Sequence, residues 1–110
     1  MKEILNKLVN SFNTKAEKND KLKKNIGGLE RSIQIEFTDD GTYYLYLKNI
    51  HLSDVIEGTM EKPDIKVQIS SEDFNMILNK QLDALSAYVT KKLVVKASLS
   101  DKLLLTDLLK

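Results

Sequence analysis

The sequence predicts an α+β domain, because helix-like and strand-like segments alternate in an order typical of that class. A helix is followed by four strand-like runs, then by helical segments, a fifth strand-like run and a last helix. This order favours a five-stranded, mostly antiparallel sheet. With 110 residues and no internal repeat, the chain is expected to fold as a single domain over residues 1–110.

The N-terminal segment, residues 1–25, is predicted to be largely an amphipathic helix. Its apolar side chains recur at the helical period and form one stripe, which consists of Ile4, Leu5, Leu8, Val9 and Phe12. Asn13-Thr14 is expected to break or cap the helix. The lysine-rich stretch 15–24 is expected to be a frayed helix or a solvated connector that ends at Gly27-Gly28.

Alternation of apolar and polar residues predicts strands at residues 32–37, 43–47, about 51–57, 65–69 and 93–97. Asp39-Asp40-Gly41 is a hairpin-turn signal between the first two. The third strand is the weakest prediction, because Val55 and Ile56 would face opposite sides of the sheet. The strands and helices of residues 31–110 are expected to form the body of the domain.

Two helices are predicted around the last strand. Ser70 and Ser71, followed by two acids, suit the start of a helix whose buried stripe is Phe74, Ile77, Leu78 and Leu82. A short helical turn is expected over residues 84–90. Ser98 or Ser100 caps the last helix, whose apolar residues are Leu103, Leu104, Leu105, Leu108 and Leu109. These leucines span more of the helix circumference than one sheet contact needs, so the helix must be covered on several sides or line something apolar.

Composition excludes several kinds of chemistry. The chain has no cysteine, which rules out disulfides and thiol catalysis, and its single histidine, His51, rules out a two-histidine metal site within one chain. A Ser-His-Asp site would need a serine and an acid that nothing in the sequence singles out. Asp39-Asp40-Gly41 lacks the spacing of a calcium loop. The sequence therefore predicts no enzyme, no metal and no cofactor.

Charge is unevenly distributed along the chain. Residues 1–31 carry eight Lys/Arg against four Asp/Glu, residues 32–75 carry three against nine, and residues 76–110 carry six against three. Neither end is basic enough for a nucleic-acid footprint, and no basic residue interleaves the tyrosines of residues 43–47, so nucleic-acid binding is not expected. The two basic ends are able to meet in space and attract an anion. No apolar run approaches a membrane span and the N-terminus lacks a signal-peptide pattern, so a cytoplasmic location is expected.

From Asp64 to Leu109 the sequence resembles the sterol carrier protein (type two) family of lipid-binding domains. The resemblance rests on a strand leading into a Ser-Ser-Glu-Asp-Phe helix start at residues 65–74, on Ala87-Tyr88, on Lys92-Leu93-Val94-Val95 and on the leucine-rich last helix. Residues 40–49 are similar to the family's central hairpin strand. The resemblance implies helices packed on one face of the sheet, over an apolar tunnel that binds sterols, fatty acids, acyl-CoA esters or phospholipids without catalysis.

The sequence departs from the family pattern in its loops. Lys80, Lys91 and Ala97 stand where the family usually has glycine, and Ala84 stands where it has proline. These loops are therefore expected to be built differently around the mouth of the cavity. Lys91 and Lys92 beside Lys96 are candidates for a phosphate or acidic headgroup, although solvated lysines are the favoured interpretation.

The resulting hypothesis is non-catalytic binding or transfer of an apolar ligand, with possible contact to a membrane surface and a possible homodimer. The residues predicted to line the core or its cavity are Phe12, Tyr43, Leu45, Leu47, Phe74, Ile77, Leu78, Leu82, Tyr88, Leu104, Leu105 and Leu108. Two alternatives stay open from sequence. Either these residues only pack against one another, or the broad face of the last helix binds a protein partner or a second copy.

Overall fold

The computed structural model describes the backbone of residues 1–108 and their side chains except those of Asn25 and of residues 106–108. Eleven elements follow one another: α1 (Lys2–Lys18), α2 (Asp20–Ile26), β1 (Arg31–Phe37), β2 (Gly41–Lys48), β3 (His51–Leu52), β4 (Ile56–Glu57), β5 (Ile65–Ile69), α3 (Ser71–Leu78), α4 (Ala84–Val89), β6 (Val94–Lys96) and α5 (Leu99–Leu108). The predicted α+β class is confirmed. Within this part of the chain, no helix is long and apolar enough to cross a bilayer.

The strands form one sheet in the order β3-β2-β1-β5-β6, with β4 also pairing with β2. All pairs are antiparallel except β1 with β5. The parallel pair arises because the chain crosses over β1 between β4 and β5. On that crossing, the backbone N–H of Met60 donates to Gln34 Oε1 at 2.7 Å, which explains why this polar strand residue is buried.

The sheet has six strands rather than the five predicted, because a bulge divides the predicted third strand. Four steps from Leu52 to Ile56 on the outer chain match only three steps from Leu47 to Tyr44 on β2. One extra residue therefore stands between β3 and β4, as in a β-bulge. It turns Val55 into the core and leaves Ile56 exposed, which accounts for the poor alternation in the sequence.

One face of the sheet is the core face. Ile33, Leu45 and Ile65 stand side by side on β1, β2 and β5, and all are buried. Leu5 of α1, Phe74 of α3 and Leu104 of α5 belong to the same buried cluster, so the helices cover this face as the resemblance implied. The opposite face exposes polar and apolar side chains that include Tyr46, Gln68, Val94 and Lys96.

The predicted break at Asn13-Thr14 is wrong, since α1 continues to Lys18. Asn13 does not cap the helix, because its side chain bonds to the edge strand. Its amide nitrogen donates to the Leu52 carbonyl at 3.0 Å, and its amide oxygen accepts from the Leu52 N–H at 2.8 Å. The break comes at Asn19, whose side chain accepts from the N–H of Leu22 and caps α2.

The C-terminal half follows the predicted helix starts but ends α3 earlier. Ser70 Oγ accepts from the Asp73 N–H at 3.1 Å, and Ser98 Oγ accepts from the Asp101 N–H at 3.2 Å, so these two serines cap α3 and α5. Leu82 lies beyond the end of α3, in the loop before α4, and does not extend its stripe as predicted.

The two lysines that stand where the resemblance implies glycine both adopt left-handed backbone conformations. The φ angles are +63° at Lys80 and +65° at Lys91. This region favours glycine and disfavours residues with a Cβ. At these two residues, a long cationic side chain is therefore attached to a backbone conformation that favours glycine.

Candidate ligand groove between α1 and α3

An open groove with a volume of about 430 Å³ runs between α1 and the end of α3. Small-molecule sites in proteins span about 300–1,000 Å³, so the groove is large enough for an organic ligand. Its lining is contributed by five residues of α1 and four at the end of α3, namely Ile4, Lys7, Leu8, Ser11, Lys15, Asn75, Leu78, Asn79 and Lys80.

The α1 wall follows from the width of that helix's apolar stripe. Leu5, Val9, Phe12 and Ala16 recur at helical spacing and are buried in the core. Ile4 and Leu8 lie one position earlier on the helix, on the flank of the stripe, and are only partly buried. The sheet therefore does not cover them fully, and they are available to the groove.

The α3 wall is set by where that helix ends. Phe74 and Ile77 point into the core, and Leu78, on the next position round the helix, is partly buried and faces the groove. The helix closes at Asn79, whose N–H donates to the Asn75 carbonyl oxygen at 2.9 Å, and the N–H of Lys80 donates to the Ile77 carbonyl oxygen at 3.1 Å. The left-handed residue Lys80 follows directly and lines the groove.

The groove is apolar in its aliphatic contacts and cationic at its edge. Lys7, Lys15 and Lys80 line it, and none of its nine lining residues is acidic. Among the described residues, no carboxylate forms an ion pair with these three ammonium groups. The two basic ends of the sequence do meet here, since Lys7 and Lys15 come from the first and Lys80 from the second. Such a site suits a ligand with an apolar tail and an anionic head.

The pKa shifts lie outside the groove and have structural causes. The N–H and hydroxyl of Ser71 both donate to Asp39 Oδ1 at 2.9 Å, which lowers the pKa of that carboxyl. The hydrogen bond from Arg31 to Asp101 at 2.9 Å raises the pKa of the guanidinium. Burial raises the pKa of the Tyr43 phenol. The first two contacts join elements that are distant in sequence.

His51 is the first residue of the edge strand β3 and is exposed. Its Nδ1 is 3.0 Å from the Asn49 carbonyl oxygen, and its Nε2 is 3.7 Å from Glu17 Oε1. One ring nitrogen therefore lies near a backbone carbonyl and the other near a carboxylate, and neither of these contacts is with a serine or threonine hydroxyl. Among the described residues, no group of three His, Asp or Glu side chains is arranged to hold a metal ion.

The structure distributes the predicted ligand residues between core and surface. Buried in the core are Phe12, Tyr43, Leu45, Leu47, Phe74, Ile77, Leu104 and Leu105. Leu78, Leu82 and Tyr88 are partly buried, and Leu78 alone of the predicted set lines the groove. The side chain of Leu108 lies outside the described residues. A ligand role for these residues stays a prediction.

Sequence reasoning missed most of the groove. Ile4 and Leu8 belong to the predicted α1 stripe, but the stripe alone does not mark them as ligand contacts, and no motif in the sequence connects Lys7, Lys15 and Lys80. The width of the α1 stripe is the signal that points to Ile4 and Leu8. Like the leucine face of the last helix, this stripe is wider than one contact with the sheet needs. Lys80 stands where the resemblance implies glycine, which is a signal in the sequence for a special backbone conformation there.

The SCP-2 sterol transfer family matches the sequence over residues 5–110. The chain belongs to this family. The resemblance seen in the sequence is therefore confirmed, and it extends across α1 as well as the C-terminal two thirds. No curated protein matches the sequence.

Solved structures show the same fold at low sequence identity. The ubiquinone synthesis protein UbiJ-SCP2 has a TM-score of 0.70 and 14% identity, over 96% of this chain and 88% of its own. Palmitated SCP2L2 of Aedes aegypti has a TM-score of 0.65 and 17% identity, over 93% and 90%.

The fold also occurs as part of a larger protein. The sec-alkylsulfatase Pisa1 from Pseudomonas sp. has a TM-score of 0.62 and 19% identity over 76% of this chain. The matched part is only 13% of the sulfatase chain, so this likeness concerns the fold alone.

Proposed function

We propose that this SCP-2 family member binds an amphiphilic lipid in the groove between α1 and α3 and carries it without changing it chemically. The observation that carries the proposal is a groove of about 430 Å³ with aliphatic side chains from both helices and lysines at its edge. Ile4, Leu8 and Leu78 would contact the tail, and the lysines would contact the head.

Magnitudes favour a ligand with both parts. A tail that buries ~200 Å² gains on the order of 5 kcal/mol at about 25 cal/mol per Å², before ordering costs. Micromolar affinity requires about 8 kcal/mol. All three lysines are exposed, so each contact with an anionic head adds about 0.2–1 kcal/mol, and the three together add at most about 3 kcal/mol. Tail burial alone gives weaker binding.

The family supports the lipid part of the proposal. It is a sterol transfer family, and one structural relative is described as palmitated. A fatty acid combines an acyl tail with a carboxylate, which is the combination that the groove suits. The non-catalytic part is supported by the lining itself: among the described residues, Ser11 is its only hydroxyl, no histidine or carboxylate lines the groove, and the two lysines one helical turn from Ser11 are exposed to solvent.

The proposal is tested by ligand identification and titration. Mass spectrometry of a mild organic extract of the purified protein should find a lipid, and a fluorescent fatty acid should bind at about micromolar concentration. A fatty alcohol of the same chain length is the matched ligand, since it keeps the tail and removes the charge. It should bind several-fold more weakly, because it loses contacts with exposed lysines that are worth about 0.2–1 kcal/mol each.

A variant separates the head contact from the tail contact. Lys80→Gln should weaken binding of the fatty acid and leave that of the fatty alcohol unchanged. Failure of fatty acids, acyl-CoA esters, sterols and phospholipids to bind the folded protein would refute the proposed function. Binding of the alcohol as tightly as the acid would refute the role of the lysines while leaving the lipid function intact.

A further inference from the structure

Four aliphatic side chains on α4 and α5 are exposed to solvent. Their exposed fractions are 54% for Leu85, 69% for Val89, 74% for Leu99 and 58% for Leu103. Single exposed leucines are common on proteins, but several together on neighbouring elements mark an interaction site. The wide leucine face predicted for the last helix is therefore not fully covered by this chain within the described residues.

The two helices that carry these residues are in contact. Lys102 Nζ of α5 donates to the Tyr88 hydroxyl of α4 at 3.0 Å and lies 5.4 Å from the centre of its ring. Residues three and four apart share a helix face, so Leu85 neighbours Tyr88 on α4 and Leu99 neighbours Lys102 on α5. Exposed aliphatic side chains therefore lie on both helices near the contact between Tyr88 and Lys102. We call Leu85, Val89, Leu99 and Leu103, with Lys91 and Lys92, the α4–α5 surface.

This surface is basic as well as apolar. Residues 84–100 contain no acid, and two of their three lysines, Lys91 and Lys92, belong to this surface, whereas Lys96 lies on the opposite face of the sheet. The acids that bracket the segment have other partners. Asp83 accepts from the N–H of Ser86 at the start of α4, and Asp101 is buried against Arg31.

The turn after α4 holds the lysines in place. The N–H of Lys91 donates to the Tyr88 carbonyl at 3.2 Å, and that of Lys92 to the Ala87 carbonyl at 2.9 Å. Both side chains are exposed. They therefore stand on a hydrogen-bonded turn that directly follows α4.

We propose that the α4–α5 surface docks the protein on an anionic lipid bilayer. Exposed aliphatic residues enter the interfacial region of a bilayer, and each lysine near an anionic leaflet adds attraction. A bilayer fits this surface better than a second copy of the chain does, because a two-fold dimer would bring the same lysines together from both subunits. The proposal concerns a surface made by different helices from those that form the groove, and it does not depend on lipid binding there.

Flotation with vesicles tests the proposal. The full chain should bind vesicles of phosphatidylcholine mixed with phosphatidylserine, should bind phosphatidylcholine alone far less, and should be released by salt. The double variant Lys91→Gln, Lys92→Gln should lower the partition coefficient about tenfold or more. The double variant Leu85→Ser, Leu99→Ser should lower it at least as much, since both side chains are exposed and their loss leaves the fold intact.

Matched variants on the opposite sheet face serve as controls. Lys66→Gln with Lys96→Gln removes the same charge, and Val94→Ser removes an exposed aliphatic; both should bind vesicles like the wild type. The proposal is overturned if the anionic vesicles do not bind, if the controls lose binding as much as the α4–α5 variants, or if sedimentation shows a dimer that the Leu85, Leu99 variant dissociates. Vesicle binding that persists in both α4–α5 variants also overturns it.

Discussion

The first and last helices both carry more apolar surface than the sheet covers, and the excess meets different surroundings. On α1, Ile4 and Leu8 lie beside the end of α3, so the uncovered flank becomes one wall of a groove. On α5, Leu99 and Leu103 remain exposed next to α4. A wide apolar stripe therefore predicts that the helix has a contact besides the sheet. The neighbouring helix decides whether the uncovered residues line a groove or form an open surface.

Lysines accompany the apolar excess in both regions. Lys80 follows α3 at the groove and Lys91 follows α4 at the α4–α5 surface, and both have left-handed backbones. The resemblance to the family implies glycine at both positions. The same kind of substitution thus gives cationic character to a proposed ligand site in one place and to a proposed membrane surface in the other.

The largest effect is expected from the buried side of α1. Leu5→Ala should lower the free energy of unfolding by about 2–5 kcal/mol, because it leaves a cavity at a side chain that is 1% exposed. Leu103→Ala on α5 removes the same atoms from a side chain that is 58% exposed and should change stability by less than about 0.5 kcal/mol. Denaturant unfolding of both variants measures the difference. Equal losses would contradict the assignment of Leu103 to the surface.

The docking of α1 on the sheet edge should depend on Asn13. Asn13→Ala removes both hydrogen bonds to Leu52 and should lower the free energy of unfolding by about 1–3 kcal/mol. The neighbouring exposed residue provides a control, and Asn10→Ala should have little effect. Hydrogen exchange at the Leu52 amide should accelerate in the Asn13 variant alone. An unchanged exchange rate would show that this pair does not hold the edge strand.

The two left-handed lysines allow stability and function to be separated. Lys80→Gly and Lys91→Gly should each raise the free energy of unfolding by about 1 kcal/mol, since glycine adopts a positive φ without steric strain. Only Lys80→Gly should weaken fatty-acid binding, and only Lys91→Gly should weaken vesicle binding. As a control, Lys92→Gly lies outside the left-handed set and should not stabilise the protein. Weakening of both functions by either variant would contradict the separation of the two regions.

The smallest effect concerns pH and the start of α3. Hydrogen bonds from Ser71 lower the pKa of Asp39 in the folded state, so this carboxylate contributes stability above its unfolded pKa of about 3.9. That contribution is lost as the pH falls through the lower, folded-state pKa. The unfolding temperature of wild type should therefore fall slightly more between about pH 6 and pH 3 than that of Asp39→Asn. Identical falls would show that the contact contributes nothing measurable.

The sequence predicted the elements well where local chemistry decides them. The alternation of residues 65–69 defined β5, and the serine caps at Ser70 and Ser98 lie where α3 and α5 begin. Local patterns failed where a distant partner intervenes. Asn13 looked like a helix break because asparagine often caps, but here it bonds to Leu52. The bulge before Ile56 depends on the register with β2, which a single strand cannot reveal.

The groove was harder to predict because it is made by two helices far apart in sequence. Leu78 was identified, since its place on the α3 stripe is local. Lys7 and Lys15 read as ordinary solvated residues of a surface helix, and only their position opposite Lys80 brings them together. Such a juxtaposition depends on how α1 and α3 pack, which periodicity does not determine.

Photo-crosslinking with a diazirine-labelled fatty acid tests the central claim most directly. The claim is that the apolar excess of α1, and not that of α5, forms the ligand site. Mass spectrometry of the cross-linked protein should locate the label in α1 and at the end of α3, within residues 4–15 and 75–80, and unlabelled fatty acid should suppress it. Label that is suppressed in the same way but concentrates on α4 and α5, or on the core residues Tyr43 and Leu45, would contradict the account.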